Sequence, residues 1–435
     1  MNGTTISAGD TAWVLVSTAF VLLMIPGLAL FYGGLVRTKA VLNTFMMSVA
    51  ALAVVGIQWV LFGYSLAFGP GSVIGDLSWV GLHGVGAAAG PYSSTIPNAA
   101  FSGFQAMFAG ITVALISGAM VERIRFHVYV LFALLWTTFV YDPLAHWVWA
   151  SDGWLRSLGA LDFAGGTVVH ISAGTAAIVA AIALGRRRDF GRTALRPHNV
   201  VFTLAGAGLL WVGWIGFNAG SALAADGVAA IALMNTHAAA AAAVVAWLAI
   251  EFARTGQATA VGGATGAVVG LVAITPAAGF VTPLAALVIG ALGAAASYAA
   301  VQWRSKTSID DALDVFACHG VAGVVGAMLT GVFATKSVNP AGADGLLYGN
   351  ARQLGVQALA VVCTIAFAAS VTALVLGRLR ALGSLRVTLP NELAGVDVSE
   401  HGEHAYDDSE MLGRVGDGVG INEPIVIPAR SERAA

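Results

Sequence analysis

The chain has 435 residues, of which 58% are hydrophobic and only 10% are charged, and its formal net charge is −2. Soluble globular domains carry about 25% charged residues, so this composition excludes an ordinary soluble protein. The charge balance gives no indication of nucleic-acid binding, because basic residues cluster only in the loops between apolar runs.

Apolar runs long enough to cross a membrane, which takes roughly 17–25 helical residues, recur along most of the chain. About eleven transmembrane helices are predicted, at 11–36, 42–67, 99–121, 128–148, 165–185, 199–218, 228–250, 260–275, 283–303, 313–333 and 353–377. Unbroken runs of this length exclude a β-barrel, whose strands are short and alternate. The abundant Gly and Ala residues favour closely packed helices. The sequence therefore predicts an all-α polytopic membrane protein.

Basic residues follow the odd-numbered spans and are scarce after the even-numbered ones. The basic set is Arg37, Lys39, Arg123, Arg125, Arg186, Arg187, Arg188, Arg192, Arg196, Arg254, Arg304, Lys306, Arg378, Arg380 and Arg386. The opposite loops carry only Arg156, Lys336 and Arg352. Since positive loops stay in the cytoplasm, this pattern predicts an external N-terminus and a cytoplasmic C-terminus.

Two segments stand apart from the spans. Residues 69–98 form a loop rich in Gly and Pro, and residues 381–435 form a charged tail behind a transmembrane domain of residues 1–380. We expect the tail to be poorly ordered beyond about Ser409, where Gly and charged residues dominate. Both cysteines fall inside predicted helices, so neither a disulfide nor a metal site is indicated.

The two halves of the chain resemble each other. The first span ends in Phe31-Tyr-Gly-Gly34 and the sixth in Phe217-Asn-Ala-Gly220, while the fifth and tenth each carry a carboxylate and a histidine. Because five is odd, two five-span units (spans 1–5 and 6–10) must insert with opposite topology. The pattern predicts an inverted repeat with a site near the bilayer midplane, plus a final helix.

The histidines of those spans, His170 and His319, are the most informative residues of the chain. An ionisable side chain inside the hydrocarbon costs a few kcal/mol or more, and it normally faces a pore, a proton relay or a partner. A single buried histidine could simply bond a backbone carbonyl. Two in equivalent positions indicate a conduction path that handles protons.

Several motifs together resemble the Amt/Mep/Rh ammonium transporters, on their bacterial side. They are Gly118–Arg125, Asp162–Gly174, Gly213–Ser221, Asp314–Gly320 and the tail motif His401–Tyr406. The resemblance covers essentially Thr11 to about Asp407. It implies ammonium transport across the cytoplasmic membrane by a homotrimer with one pore per subunit, without enzymatic activity and without a cofactor or metal.

The resemblance also implies roles for aromatic residues. Phe104, Trp149 and Ser221 match an external vestibule that binds a small cation through aromatic faces and a hydroxyl. Phe108 and Phe217 match a stacked pair that closes the pore beneath it. On spacing alone, Trp149 could be an interfacial anchor and the phenylalanines ordinary core residues.

His170 and His319 match the paired imidazoles of the family's pore. Asp162 matches a structural carboxylate that orders the vestibule backbone, and Asp314 is expected to have an internal structural partner. His237, inside the seventh span, has no counterpart in the pattern, and we expect a packed neutral imidazole rather than a local modulator.

The favoured hypothesis is that ammonium is recruited in the vestibule, is deprotonated past the Phe gate, where the imidazoles can accept a proton, and crosses the twin-histidine pore as ammonia. Methylammonium is a candidate analogue, and a trimeric PII signal protein is a candidate partner at the cytoplasmic face. A neutral ammonia channel and an ammonium sensor of the same fold remain alternatives, although the tail leaves little room for a signalling domain. An intramembrane hydrolase is disfavoured, because the sequence lacks a His-Glu-x-x-His motif.

Overall fold

Eleven apolar helices dominate the part of the chain that the computed structural model describes, residues 6–192 and 196–406. The predicted disorder beyond Ser409 lies outside these residues. The helices are α1 (Ala8–Leu35), α2 (Thr38–Phe68), α3 (Asn98–Ala119), α4 (Phe126–Leu158), α5 (Gly166–Leu184), α6 (Val200–Gly220), α7 (Gly227–Thr255), α8 (Ala260–Ile274), α9 (Pro283–Ser305), α10 (Phe316–Phe333) and α11 (Ala351–Leu382). The predicted all-helical membrane fold is confirmed.

One predicted span differs from the others. Ten of the helices are long and apolar enough to cross a membrane, but α8 has only 15 residues. At 1.5 Å per residue, it spans roughly 22 Å, short of a hydrocarbon core of about 30 Å. The bounds of α8 match the predicted run at 260–275, and the helix gives way at Thr275 to a series of turns.

The predicted irregular loop at 69–98 contains more structure than expected. It holds a 3₁₀ turn at Val80–Leu82 and a short antiparallel hairpin of β1 (Ala89–Gly90) and β2 (Ser93–Pro97). The hairpin leads directly into α3, since the N–H of Asn98 donates to the carbonyl of Ala88 at 2.8 Å.

The first part of the tail packs back onto the bundle through two short helices, α12 (Leu389–Ala394) and α13 (Val396–His401). Asp397 accepts hydrogen bonds from the backbone N–H groups of Leu42 and Asn43, at 3.1 and 2.8 Å. These are free N–H groups near the start of α2, where a carboxylate also meets the positive end of the helix dipole. The tail is thus anchored as a helix cap.

Helix packing repeats between the two halves. The contacts α1–α3, α2–α3, α2–α4 and α3–α5 recur as α6–α8, α7–α8, α7–α9 and α8–α10, and α1 packs along α6 between the halves. At one end of this pair the N–H of Asn199 donates to Gly34, and at the other Asp10 accepts from the N–H of Ala225. The two helices therefore run in opposite directions, as the predicted inverted repeat requires.

The helices that carry His170 and His319 cross without side chains between them. Gly174 of α5 lies directly against the backbone of Gly320 in α10, and a Cβ atom at Gly174 would collide with it. Both helices also begin with a π-helical segment, Gly166–Ile171 and Phe316–Val321. These wider turns, which are frequent at functional sites, contain the two histidines.

Candidate conduction pore

A cavity of about 650 Å³ opens at the end of the bundle that carries Trp149 and Ser221, here called the vestibule face. The opposite end, which carries Arg37, Arg123 and Arg187, is called the basic face. Trp149 donates its indole N–H to the backbone carbonyl of Asp162 at 3.0 Å, which fixes its ring at the cavity wall. Ser221 also lines the cavity and donates its hydroxyl hydrogen to Phe217 O at 2.8 Å, so its oxygen lone pairs remain available.

Phe104 is not among the residues that line this cavity, and its place in the vestibule wall stays a prediction. Its side chain is completely buried and packs edge-on against Phe108, with ring centroids 4.8 Å apart. The end of its ring reaches α6, where a Cβ at Gly220 would stand 3.0 Å from Phe104 Cζ. Phe108, predicted only as a gate residue, lines the cavity floor.

Asp162 organises the backbone between the vestibule and α5. Its Oδ1 accepts from the N–H groups of Gly165 and Gly166 at 2.7 and 2.6 Å. Its Oδ2 accepts from the N–H groups of Thr167 and Val168 at 2.8 and 3.3 Å, and from the Thr167 hydroxyl. Both oxygens are therefore saturated by the free N–H groups of a helix start. This arrangement fits a structural carboxylate rather than a cation ligand.

Phe108 and Phe217 close the floor of the cavity. Their rings stack with centroids 4.1 Å apart and an angle of 24° between the planes, and both side chains are buried. Trp149 meets Phe108 edge-on at 6.0 Å. On the other side of the pair, Phe217 stacks against His170 at 5.9 Å. The stacked rings thus separate the vestibule from the histidines.

Below the phenylalanines lies a narrow, mostly apolar lumen of about 10 Å³, close to the smallest volume that holds one water molecule. His170 and His319 line it, with Nδ1 atoms 3.4 Å apart and stacked rings at 5.4 Å. His170 Nε2 has no hydrogen-bond partner among the described residues and is buried. The unpartnered nitrogen is the kind of group that a small polar cargo would satisfy.

Three further aromatic residues of the lumen, Phe31, Tyr32 and Trp214, are not among the predicted pore residues. Trp214 stacks on His170 at 5.3 Å, and its N–H donates to the Thr275 hydroxyl at 2.9 Å. Tyr32 lines both the lumen and the cavity below it. Trp214 lies one helical turn before Phe217, inside the motif Gly213–Ser221, so its helical spacing is a signal that could have identified it.

On the basic face, a second cavity of about 360 Å³ leads to His319. Asp314 lines it and pairs with Arg304. Asp311 accepts from the N–H of Phe316 at 2.7 Å at the start of α10, while its other oxygen has no partner among the described residues. Burial, reinforced by the charge of Asp314, raises the pKa of Asp311 to about 6.

A buried charge network lies beside this second cavity. Glu122 accepts from Arg37 at 2.7 Å and from Arg187 at 3.2 Å, and Arg187 also pairs with Asp310 at 2.8 Å. Burial alone would raise the pKa of Glu122, but the two guanidinium groups hold it below its usual value. The network ties α3, α5 and α10 together at the basic face. Its members are too distant in sequence for spacing to reveal the pairing.

His237, which we expect to be a packed neutral imidazole, contacts one neighbouring aromatic ring. It is exposed on the outer surface of α7, where its ring lies against Trp211 of α6 with centroids 5.5 Å apart. It has no connection to the pore residues. Within the described ranges, no group of three or more His, Cys, Asp or Glu residues could hold a metal ion.

Residues 12–406 match the Ammonium Transporter Family. An "Ammonium transporter" of Bacillus subtilis (strain 168) is 51% identical over 403 residues, which cover 92% of this chain and 99% of that protein. The crystal structure of Saccharomyces cerevisiae Mep2 superposes with a TM-score of 0.83 at 38% identity, covering 88% of this chain and 91% of that one. A structure titled "Sensor Amt Protein" gives a TM-score of 0.84 at 30% identity, covering 90% and 98%.

The similarity extends over nearly the whole chain and includes both histidine-bearing helices. The related proteins are named as transporters, in agreement with the prediction that the chain is not an enzyme. The apolar helices and the family together establish a multi-pass protein of the cell membrane. The chain belongs to the Ammonium Transporter Family.

Proposed function

We propose that this protein transports ammonium selectively, binding NH₄⁺ in the vestibule, transferring a proton to the imidazole pair beyond the Phe108–Phe217 gate and conducting NH₃ past His170 and His319. One observation carries the proposal: an aromatic vestibule, a stacked gate and a paired-histidine lumen follow one another in contact. The similarity to proteins named as ammonium transporters supports this choice of substrate.

Recruitment in the vestibule rests on aromatic faces and one hydroxyl. Trp149 and Phe108 present ring faces, each of which attracts a cation by about 0.5–2 kcal/mol, depending on desolvation. Ser221 can accept one N–H of the cation. Asp162 does not ligate the cation, since its oxygens already accept five hydrogen bonds.

Selectivity follows from the size and dryness of the lumen. A bare ion leaving water faces a Born cost of the order of 20 kcal/mol in a medium of low dielectric constant. A potassium filter offsets that cost with rings of carbonyl oxygens, whereas the lumen here is lined mainly by apolar and aromatic side chains. Ammonium avoids the cost by releasing a proton, which sodium and potassium cannot do.

The paired imidazoles suit ammonia as cargo. Because the two Nδ1 atoms face each other at 3.4 Å, one nitrogen must donate and the other must accept when both rings are neutral. The Nε2 atoms then differ, one being an acceptor and the other an N–H donor. Ammonia can both donate and accept, so the pair offers it two complementary contacts, and exchange of tautomers offers a route for a proton.

Assembly and orientation form part of the proposal. We place the vestibule face outside the cell, because the loops of the basic face carry most of the positive charge. A homotrimer is supported by His237, since an exposed ionisable side chain within a span needs a covering neighbour in lipid. The docked tail and the basic loops offer a surface for a PII signal protein.

An ammonium sensor is the second candidate, supported by the high TM-score against the structure titled "Sensor Amt Protein". The relatives named as transporters are more similar in sequence and favour transport. A neutral ammonia channel differs from an electrogenic transporter only in where the released proton goes.

Purified protein in proteoliposomes tests the proposal. We expect ammonium addition to produce a response that potassium does not. An ammonium-specific current identifies electrogenic transport, and an internal pH change without current identifies a neutral channel. If correctly folded and inserted protein gives neither a current nor an internal pH change, the result would contradict transport and favour the sensor.

A further inference from the structure

A cavity of about 480 Å³ on the basic face lies apart from the pore and is dominated by guanidinium groups. Two segments form it: the residues that follow α5, and the tail between α11 and α12. The charged residues of its wall are Arg186, Arg187, Arg188, Arg192, Arg386 and Glu392.

Two of these arginines already have carboxylate partners. Arg187 is bonded to Asp310, and Arg386 donates to Glu392 at 2.6 Å. The second oxygen of Glu392 accepts the backbone N–H of Arg188 at 2.7 Å, so the one acid of the wall is fully engaged.

The other three arginines have no carboxylate partner within residues 6–192 and 196–406. Arg186 is held by its Nε–H bond to Ser308 O at 2.9 Å and lies over the ring of Phe190, while Arg188 and Arg192 are exposed. Residues 193–195, which follow immediately, are Thr, Ala and Leu and supply no acid. Among the residues that the structure describes, the cavity therefore concentrates uncompensated positive charge.

The need for positive loops at a cytoplasmic face explains the number of arginines but not their convergence on one cavity. Like charges held close together repel each other, and a bound anion relieves that repulsion. The planar guanidinium fork matches phosphate oxygens in pairs, which lysine cannot do. Basic pockets at this level of a membrane protein are also suited to lipid headgroups.

We propose that this cavity is a phosphate-binding site, in which Arg188 and Arg192 bind the phosphate of an anionic lipid headgroup or of a free phosphorylated molecule. Because its wall joins the loop after α5 to the tail, a bound phosphate bridges the two segments. It thereby stabilises the docked position of α12.

The test uses the full chain in nanodiscs. One arm adds inorganic phosphate to phosphatidylcholine nanodiscs, and the other replaces part of the phosphatidylcholine with phosphatidylglycerol. The readouts are the thermal midpoint and the lipid retained in native mass spectrometry. Wild type is compared with Arg188→Gln/Arg192→Gln and with the control Lys306→Gln/Arg378→Gln, which removes two exposed charges of the same face outside the cavity.

We expect at least one phosphate source to raise the thermal midpoint of wild type and control, with apparent affinity falling at least tenfold in the Gln variant. The arm that responds identifies the source. Equal binding by the Gln variant, or no response of wild type in either arm, would overturn the proposal. Arg188→Lys/Arg192→Lys keeps the charge and should also bind more weakly; affinity equal to wild type would refute recognition by the guanidinium fork.

Discussion

The two histidine-bearing helices begin in the same way but are anchored by different chemistry. Both α5 and α10 start with a π-helical segment that carries the histidine. At α5, Asp162 accepts five hydrogen bonds from local donors. At α10, Asp311 accepts one from Phe316, and Asp314 relies on Arg304. The start of α5 is thus held by one carboxylate with all its hydrogen bonds formed. The start of α10 is held by two neighbouring carboxylates, one of which has an unpartnered oxygen.

We call Asp162 the anchor of α5, and Asp311 with Asp314 the anchor of α10. Their different surroundings predict how mutation of each anchor changes the stability of the protein. A carboxylate saturated by hydrogen bonds strongly favours its bound arrangement, whereas Asp311 is buried beside another acid and has a raised pKa. Asp314 also adopts a left-handed φ of 55°, which costs a non-Gly residue of the order of 1 kcal/mol. The anchor of α5 should therefore be the stronger one, and that of α10 the more easily improved.

The largest effect is expected for Asp162→Ala. Hydrogen bonds to a charged group contribute about 1.5–3 kcal/mol each, so losing this set should destabilise the protein by more than about 4 kcal/mol and abolish transport. Thermal unfolding in detergent measures the loss. Asp226→Ala is the control, since Asp226 caps α7 through one N–H bond and its loss should cost about 1 kcal/mol. Similar losses in both variants would refute the special role of Asp162.

Asp311→Asn is expected to stabilise the protein, by less than Asp162→Ala destabilises it. The raised pKa means that the contribution of Asp311 to stability is fully present below about pH 4 and is lost as pH rises through about 6. Asparagine keeps the acceptor for the Phe316 N–H without the buried charge. The variant should exceed wild type by up to about 3 kcal/mol at pH 8 and by nothing at pH 4. A pH-independent difference in thermal midpoint would contradict this account.

The smallest of these effects on stability is expected for Gly174→Ala, which places a methyl group against the backbone of Gly320. Overpacking typically costs 1–3 kcal/mol, and separating α5 from α10 should also move the histidines apart and slow transport. Gly377→Ala in α11 is the control, because a Cβ there meets nothing within 4 Å. Uptake assays on both variants, with thermal midpoints, measure the effect. Full transport in Gly174→Ala would show that the close crossing is dispensable.

The sequence predicts the helical membrane fold well, because long apolar runs have few other solutions. Family motifs also identify residues that the fold brings into contact, including His170, His319, Phe108 and Phe217. They do not reveal that Phe104 turns towards Gly220, because the direction of a side chain depends on how two helices cross. The Glu122–Arg187–Asp310 network is equally hidden, since its members come from separate helix ends. The apolar run at 260–275 predicts the short α8 within one residue, but periodicity gives no hint of the exposed position of His237.

In the proposed mechanism, the two imidazoles select ammonium because they accept and relay its proton. The most direct measurement is the ammonium and potassium response of proteoliposomes carrying His170→Leu/His319→Leu, with correct folding and assembly verified first. Loss of selective ammonium transport in a correctly folded double variant is the predicted result. Uptake and selectivity equal to wild type would contradict the mechanism.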